Sequence, residues 1–396
     1  MIDFEIAPLT KESQRLTREF NLNTVRRVSR YYDEHEHEEI KEVEEITEKS
    51  EAISRKLASL AGEKQGEGFS MASVIIGEER CWGDAALNIS ISNAFVGNMV
   101  VGAIGSPEQK ARTAGKFVAF AITEPGCGSD TSAIQTTAQL DPETNEWVIN
   151  GEKIFITGGR LCEFAVVWAT LDRSLGRAAI KSFLIENNNP GMTVTKLENK
   201  LGFRASDTVT LVFEDCRIPY DDILGSPEIK PKTTSKTGFK SVMATFDASR
   251  PAVAALAVGI GQAALDFTKE KLEQEGFTFP YDRGQHALQA IQASILDMEA
   301  NIEAARLLTW RSASMLETGQ RNSLEASMAK SKAGRTATLV TEKCVELLGP
   351  LGYSRNWLVE KWMRDCKVTD IFEGTGQINS LIIARNILGF SRDQLK

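Results

Sequence analysis

Three short segments hold residues whose types and spacing could do chemistry. One is Asp370-Ile371-Phe372-Glu373-Gly374-Thr375-Gly376-Gln377. Glu373 stands between Phe372 and Gly374, and a carboxylate beside apolar groups has its proton affinity raised by desolvation, which suits a general base. Thr375 is placed to cap a helix from about Gly376 to Leu388, with Ile378, Leu381, Ile382 and Leu388 as its apolar face. A helix N-terminus is a natural seat for phosphate oxygens. Taken locally, the simpler reading is a surface glutamate in a helix-entry loop. A second segment, Ala121-Ile122-Thr123-Glu124-Pro125-Gly126-Cys127-Gly128-Ser129-Asp130, follows an apolar strand from Phe117 to Phe120. Pro125 and two glycines favour a tight turn whose backbone N–H groups could approach a flat or anionic ligand, though a plain strand-end turn reads the same. Thr123 and Ser129 add hydroxyls. The third, Phe246-Asp247-Ala248-Ser249-Arg250-Pro251, leads into an apolar helix from Ala252 to Ala264. Asp247 and Arg250 stand at an apparent helix start, where a cap and a surface charge are the plain alternative.

The elements that must position these segments change texture along the chain. Residues 1–115 read as helical, 116–225 as strands and 238–396 as helical again. In the middle stretch, Asn150-Gly151 between Glu146 to Ile149 and Glu152 to Thr157 predicts a hairpin. Further strands are expected at Phe164 to Thr170, Ser182 to Ile185, Met192 to Leu197 and Thr208 to Phe213, so the stretch reads as a barrel or sandwich. The polar, proline-containing run from Ile223 to Gly238 reads as a linker. Beyond it, Leu288, Ile291, Ile295, Met298, Ile302 and Ala305 recur at steps of three and four, the buried stripe of a long helix.

Bulk composition narrows the function classes. The chain has 396 residues, enough for two or three domains, and a formal charge of -8 with no basic stripe, which argues against a nucleic-acid partner. The acidic run from Asp33 to Glu39 reads as a solvated helix face. No uninterrupted apolar run approaches a membrane span, and the start lacks the pattern of a secretory signal. Six dispersed cysteines read as reduced thiols of a cytoplasmic protein. With only His35, His37 and His286 in the chain, a histidine triad or metal site is hard to build.

Taken together and in this order, the segments resemble those of the acyl-CoA dehydrogenase family. Thr123 to Asp130 is similar to the family's Thr-Glu-Pro-Gly-x-Gly-Ser-Asp, and Glu373 to Arg385 to its Glu-Gly-Thr-x-Gln followed by an apolar helix ending in Ala-Arg. Lys153 to Thr157, Lys200 to Thr208, and Val359 to Lys361 with Arg364-Asp365 are similar too, so the likeness runs from about residue 70 onward. The resemblance implies an α+β multidomain fold: an N-terminal α-helical domain, a central β-barrel or sandwich domain and a C-terminal four-helix bundle. It implies FAD as cofactor, with Ile122, Thr123, Phe155 and Thr157 along the isoalloxazine, Thr375 and Gln377 on the rest of the FAD, and Gln289 as a contact from a neighbouring subunit. Ser129, also at the cofactor loop, would hold the CoA portion of an acyl-CoA substrate together with Asp247 and Arg250, and Gly374 would pass close to the thioester. Glu373 would remove the α-proton while the β-hydride passes to the flavin, giving a trans-2-enoyl-CoA. The position that carries the base in some members is Ser249 here, which cannot serve.

The same resemblance implies an electron-transfer flavoprotein as acceptor and a homotetramer, with a heteromer of related chains as the alternative. Two departures stand on the adenine side of the cofactor site: Phe277 to Asp282 lacks the usual arginine, and Glu346-Leu347-Leu348-Gly349-Pro350-Leu351-Gly352 replaces Gln-x-x-Gly-Gly-x-Gly. Glu63 to Gly68 lacks the usual Pro-x-x-x-Gly-Gly, and the end of the acyl pocket is expected near Asn88 to Asn98.

Overall fold

The computed structural model describes residues 6–42, 45–49, 52, 71–91, 96–229, 239–391 and 394–395. In chain order the first helices are α1 (Pro8–Phe20), α2 (Arg26–Glu34), α3 (Met71–Ile91), α4 (Val96–Ile104) and α5 (Pro107–Thr113). Eight strands follow: β1 (Val118–Ala121), β2 (Thr137–Asp141), β3 (Glu146–Thr157), β4 (Phe164–Thr170), β5 (Ile180–Glu186), β6 (Met192–Leu197), β7 (Thr208–Pro219) and β8 (Ile223–Leu224). The chain ends in α6 (Phe239–Gln274), α7 (Ala290–Glu317), α8 (Ser323–Leu348), α9 (Pro350–Tyr353), α10 (Val359–Cys366) and α11 (Gly376–Leu388). These form two compact units, one of Met1–Ile91, Lys200–Ala205 and Asp247–Lys396, the other of Ser92–Asn199 and Ser206–Phe246.

The strand unit is one hydrogen-bonded sheet in the order β6-β7-β3-β2-β4-β5-β8, with β1 parallel to β4. β4 is buried at every position, because Ala165, Val167 and Ala169 enter one apolar cluster while Phe164, Val166 and Trp168 enter another. The Asn-Gly signal does not make a hairpin here. β3 runs straight through Asn150-Gly151 and bulges against β7 between Ile149 and Gly151. Asn150 spends its amide on Asp215 across the bulge, at 3.2 Å from Nδ2 to the carboxylate and 2.8 Å from the Asp215 N–H to Oδ1. Gly151 is required because its φ is +151° and a Cβ would meet Thr136 Oγ1 at 2.5 Å. The real hairpin joins β2 to β3 through residues 142–145, pairing Asp141 with Glu146. The linker also begins later than the sequence implies, because Ile223 and Leu224 are a buried strand on β5; residues 230–238 lie outside the described residues.

In the helical unit, α6, α7 and α8 pack through stripes at steps of three and four. Ala254, Ala257 and Ala264 of α6 meet Ile295, Met298, Ile302 and Ala305 of α7 and Ala329, Ala333 and Ala337 of α8. α11 packs along α8 as the fourth helix of the bundle. Leu288 precedes α7 and is only half-buried, so the α7 stripe starts at Ile291. Asp247–Gln274 of α6 is long and apolar enough to cross a membrane, but 78% of its most apolar window is buried within the protein, as in a core helix.

The acidic run is only partly solvated: Glu34 and Glu39 are exposed, but Asp33 and Glu36 are paired inside. α2 ends at Glu34, and Asp33 is buried against Arg364 at 2.6 Å, while Glu36 takes Lys200 at 2.8 Å and Arg204 at 2.7 Å. These ion pairs hold residues 200–205 against α10, where the Phe203 N–H donates to Asp365 at 2.7 Å. Gly202 sits so close that a Cβ would lie 2.4 Å from the Arg364 carbonyl carbon. Gly202→Ala is therefore expected to cost about 2 kcal/mol by overpacking, read as a lower thermal midpoint; an unchanged midpoint would mean the two backbones can separate freely.

Candidate active site

Glu373 is half-buried in the turn that enters α11. Its φ is +55° and that of Gly374 is +95°, so two successive residues are left-handed, which for a glutamate stores strain of the kind found at functional sites. Ser249 Oγ donates to Glu373 Oε2 at 2.9 Å. Burial raises the Glu373 pKa above the ordinary carboxylate range, although the Ser249 bond and the charges of Arg250 and Lys330 act the other way. A half-buried carboxyl with a raised pKa and a held oxygen can accept a proton from a weak carbon acid.

The turn is fixed from several sides. Thr375 caps α11, its Oγ1 accepting from the Ile378 N–H at 3.2 Å. Asn379, fully buried, donates to the carbonyls of Gly374 at 2.8 Å and Thr375 at 3.0 Å. Lys330 Nζ on α8 donates to the same Gly374 carbonyl at 2.5 Å. Burial pulls the Lys330 ammonium down to about 8, with Asp370 and Glu373 opposing. Phe372 meets the ring of Phe203 edge-on at 6.1 Å, which ties the turn to residues 200–205. Neither Lys330 nor Asn379 was singled out from the sequence. Asn379 could have been found as a polar residue on the inner face of a capped helix; nothing local marks Lys330.

Asp247 and Arg250 are not at a helix start. α6 begins at Phe239 and runs through Pro251. Proline at 251 withholds the N–H that the Asp247 carbonyl would normally take, and Asn322 Nδ2 fills that vacancy at 3.3 Å, so the helix continues. Arg250 is buried, paired with Asp247 at 2.6 Å, and its guanidinium would lie 3.8 Å from a Cβ built on Gly374. Gln377 is exposed on the first turn of α11, and Gln289 is exposed just before α7, its N–H donating to Gln292 at 3.0 Å. The expected apolar face of α11 is only partly covered: Ile378, Leu381 and Ile382 are half-buried and Leu388 is exposed.

The strand unit positions the second segment by itself. Glu124-Pro125-Gly126-Cys127 closes a turn through paired backbone bonds between Glu124 and Cys127 at 2.9 and 3.1 Å. The Glu124 carboxylate is buried and takes Lys153 Nζ at 2.7 Å and the N–H groups of Gln135 and Thr136 at 2.6 and 3.0 Å. Two of the resembling motifs are thus joined by one buried ion pair. The Ile154 N–H donates to the Thr123 carbonyl at 2.9 Å, which sets Ile122 and Thr123 beside Phe155 and Thr157. Phe155 is 58% exposed and left-handed at φ +56°, at a second register shift of β3. An exposed aromatic ring held in strained backbone beside a fixed turn is a surface that a flat ring would cover. Ser129 is exposed beyond the turn. Of the expected pocket end, residues 92–95 lie outside the described residues, as does the Glu63 to Gly68 stretch. Asn88 instead bonds the carbonyls of Arg80 and Asp84 at 2.7 Å each, and Asn98 bonds the Lys116 carbonyl at 2.8 Å.

Comparison with known proteins shows the family. Residues 119–216 match the acyl-CoA dehydrogenase middle domain and residues 236–388 the acyl-CoA dehydrogenase C-terminal domain. The chain is 40% identical to the short-chain specific acyl-CoA dehydrogenase, mitochondrial, of Sus scrofa, over 82% of this chain and 78% of that one. Butyryl-CoA dehydrogenase from Megasphaera elsdenii superposes with a TM-score of 0.83 at 30% identity, covering 98% of this chain and 100% of the other. A chain from a structure described as the electron transferring flavoprotein of Acidaminococcus fermentans superposes with a TM-score of 0.84 at 30% identity, over 98% and 100%. With both domain models matched and relatives of 30–40% identity over most of its length, the chain belongs to the acyl-CoA dehydrogenase family and is a flavoprotein oxidoreductase.

Proposed function

We propose that this enzyme oxidises a short-chain acyl-CoA to the trans-2-enoyl-CoA, with Glu373 as the α-proton base and FAD as its cofactor. The observation that carries the reading is Glu373 itself: a half-buried carboxyl of raised pKa, on left-handed backbone, with one oxygen held by Ser249. Bound FAD supplies the hydride acceptor. Glu373 takes the α-proton as the β-hydride leaves, and the Glu373 backbone N–H donates to the thioester oxygen as it gains charge. Ile122, Thr123, Phe155 and Thr157 would carry the flavin ring, and Thr375, Gln377 and a neighbouring subunit's Gln289 the rest of the cofactor. Ser129 and Asp247 would face the CoA portion, and Arg250 would back Gly374 where the thioester passes. The short-chain preference rests on the names of the relatives in Sus scrofa and Megasphaera elsdenii. An electron-transfer flavoprotein is the proposed acceptor, supported by the Acidaminococcus fermentans likeness. A homotetramer, or alternatively a heteromer of related chains, is supported by the exposed Leu339, Ile387 and Leu388 on α8 and α11. The division into domains at 1–115, 116–225 and 238–396 belongs to the same proposal.

A series of straight-chain acyl-CoAs tests the substrate class. kcat/KM is expected to peak at butyryl-CoA or hexanoyl-CoA; a peak at palmitoyl-CoA would overturn the short-chain reading. Ser249→Ala tests the tuning of the base. A hydrogen bond to a charged group contributes about 1.5 kcal/mol or more, close to one pKa unit. Because the bond favours the ionised form, its loss should move the acid limb of kcat/KM upward by about one pH unit. A limb that stays in place would show that the Ser249 bond is not made in the working enzyme.

A further inference from the structure

Among the described residues three lysines are fully buried: Lys153, Lys330 and Lys361. Lys153 is paired with Glu124, and Lys361 with both Asp84 and Asp365. Lys330 differs. Among the described residues no carboxylate forms an ion pair with it, and its ammonium donates instead to the backbone carbonyl of Gly374, next to the base. A buried cation without a paired anion is costly, and an apolar side chain of the same length would serve the core better. Asn379 already donates to that carbonyl, so the hydrogen bond alone does not account for a charge at this position.

We propose that Lys330 is a positioning residue for the reaction: its ammonium pins the left-handed Glu373–Gly374 turn from beneath and holds a positive charge near the Glu373 carboxylate, keeping it ionised and aimed. This rests on the reading of Glu373 as the base. The groups that face Glu373 are Ser249, Arg250 and, through Arg250, Asp247 from α6, and Lys330 from α8, while Asp370 faces Lys330. Arg250 spends part of its charge on Asp247. Lys330 spends its hydrogen bond on a carbonyl, and its charge acts on Asp370 first and on Glu373 next. Loss of that charge makes Glu373 harder to ionise, whereas the core loses only an unpaired cation.

The test uses the full-length enzyme carrying Lys330→Met or Lys330→Arg. Lys330→Met is expected to melt at or above the wild-type temperature. Its flavin reduction by butyryl-CoA should be roughly tenfold slower at neutral pH, with KM nearly unchanged and the acid limb of the rate moved up by about one pH unit. Lys330→Arg should bring the limb back toward wild type. A Lys330→Met enzyme with unchanged rate and limb overturns the proposal, and so does one that unfolds or melts well below wild type, since that would make Lys330 a packing residue. Carbodiimide labelling of Glu373 against pH, read by peptide mass, gives the same answer without turnover: its midpoint should rise in Lys330→Met. If wild type itself is not reduced by acyl-CoA, the functional reading fails, and the labelling midpoint still decides the place of Lys330.

Discussion

Glu373→Gln is expected to lose about 10⁴-fold in the rate of flavin reduction by butyryl-CoA, the upper end of what a general base supplies, while still binding the thioester. Gln keeps the shape and can still accept from Ser249, but it cannot take a proton. Among the described residues, Ser249 holds the neighbouring position on α6 and cannot take a proton, and Asp247 is committed to Arg250. The loss should not come from unfolding. Burial lifts the folded pKa of Glu373 above that of the unfolded chain, so the unfolded state ionises first as pH rises. The contribution of Glu373 to stability therefore falls as pH rises from the ordinary carboxylate range through its raised pKa. A glutamine there should leave the neutral-pH melting temperature unchanged or higher, a stability cost borne by the native enzyme for function. A Gln variant retaining more than about one hundredth of the wild-type rate would remove Glu373 as the base.

Lys361→Met is expected to have the largest effect on stability. The Lys361 ammonium sits between Asp84 and Asp365 at 2.7 and 2.5 Å, with all three groups buried. Asp84 interrupts α3 with non-helical backbone and takes the Leu87 N–H at 3.0 Å, and Asp365 takes the Phe203 N–H. The one cation thus joins α3, α10 and residues 200–205. Removing it leaves two buried carboxylates facing each other, which should cost about 3–5 kcal/mol and lower the melting temperature by roughly 10 °C. In the wild type the pKa of Lys361 is raised by its two partners against the effect of burial, so its stabilisation is complete below the ordinary lysine range and is lost only at more alkaline pH. In the variant the penalty should shrink on acidification, as one of the two carboxyls takes a proton. A deficit that is the same at pH 5 and pH 8 would show that the carboxylates had found other partners.

What was legible in the sequence was what is decided locally. Thr375 and the apolar run after it set the limits of α11, Gly376–Leu388, and an apolar run sets β4, Phe164–Thr170. Elements whose form depends on partners were misread. Asn150-Gly151 carries the strongest short hairpin signal, but β7 is long enough to pair with both sides of it, so the chain bulges instead of turning. Pro251 reads as a helix entry until Asn322, 71 residues away in the chain, takes the carbonyl it releases. The acidic run from Asp33 to Glu39 looks solvated until residues 200–205 and Arg364 arrive to pair with it. The candidate base shows the same split. Glu373 and the Ser249 position are marked only by the resemblance their segments carry, whereas Lys330 and Asn379 are brought to the turn by the bundle. Buried lysine is so uncommon that sequence reading assigns it to solvent by default.

The most direct test of the central claim is an anaerobic titration of the purified, FAD-loaded protein with butyryl-CoA, followed in the visible spectrum with the products separated afterwards. The flavin band should bleach and crotonyl-CoA form in equal amount, in the wild type and not in Glu373→Gln. A flavin band that neither butyryl-CoA nor any longer straight-chain acyl-CoA bleaches would contradict it.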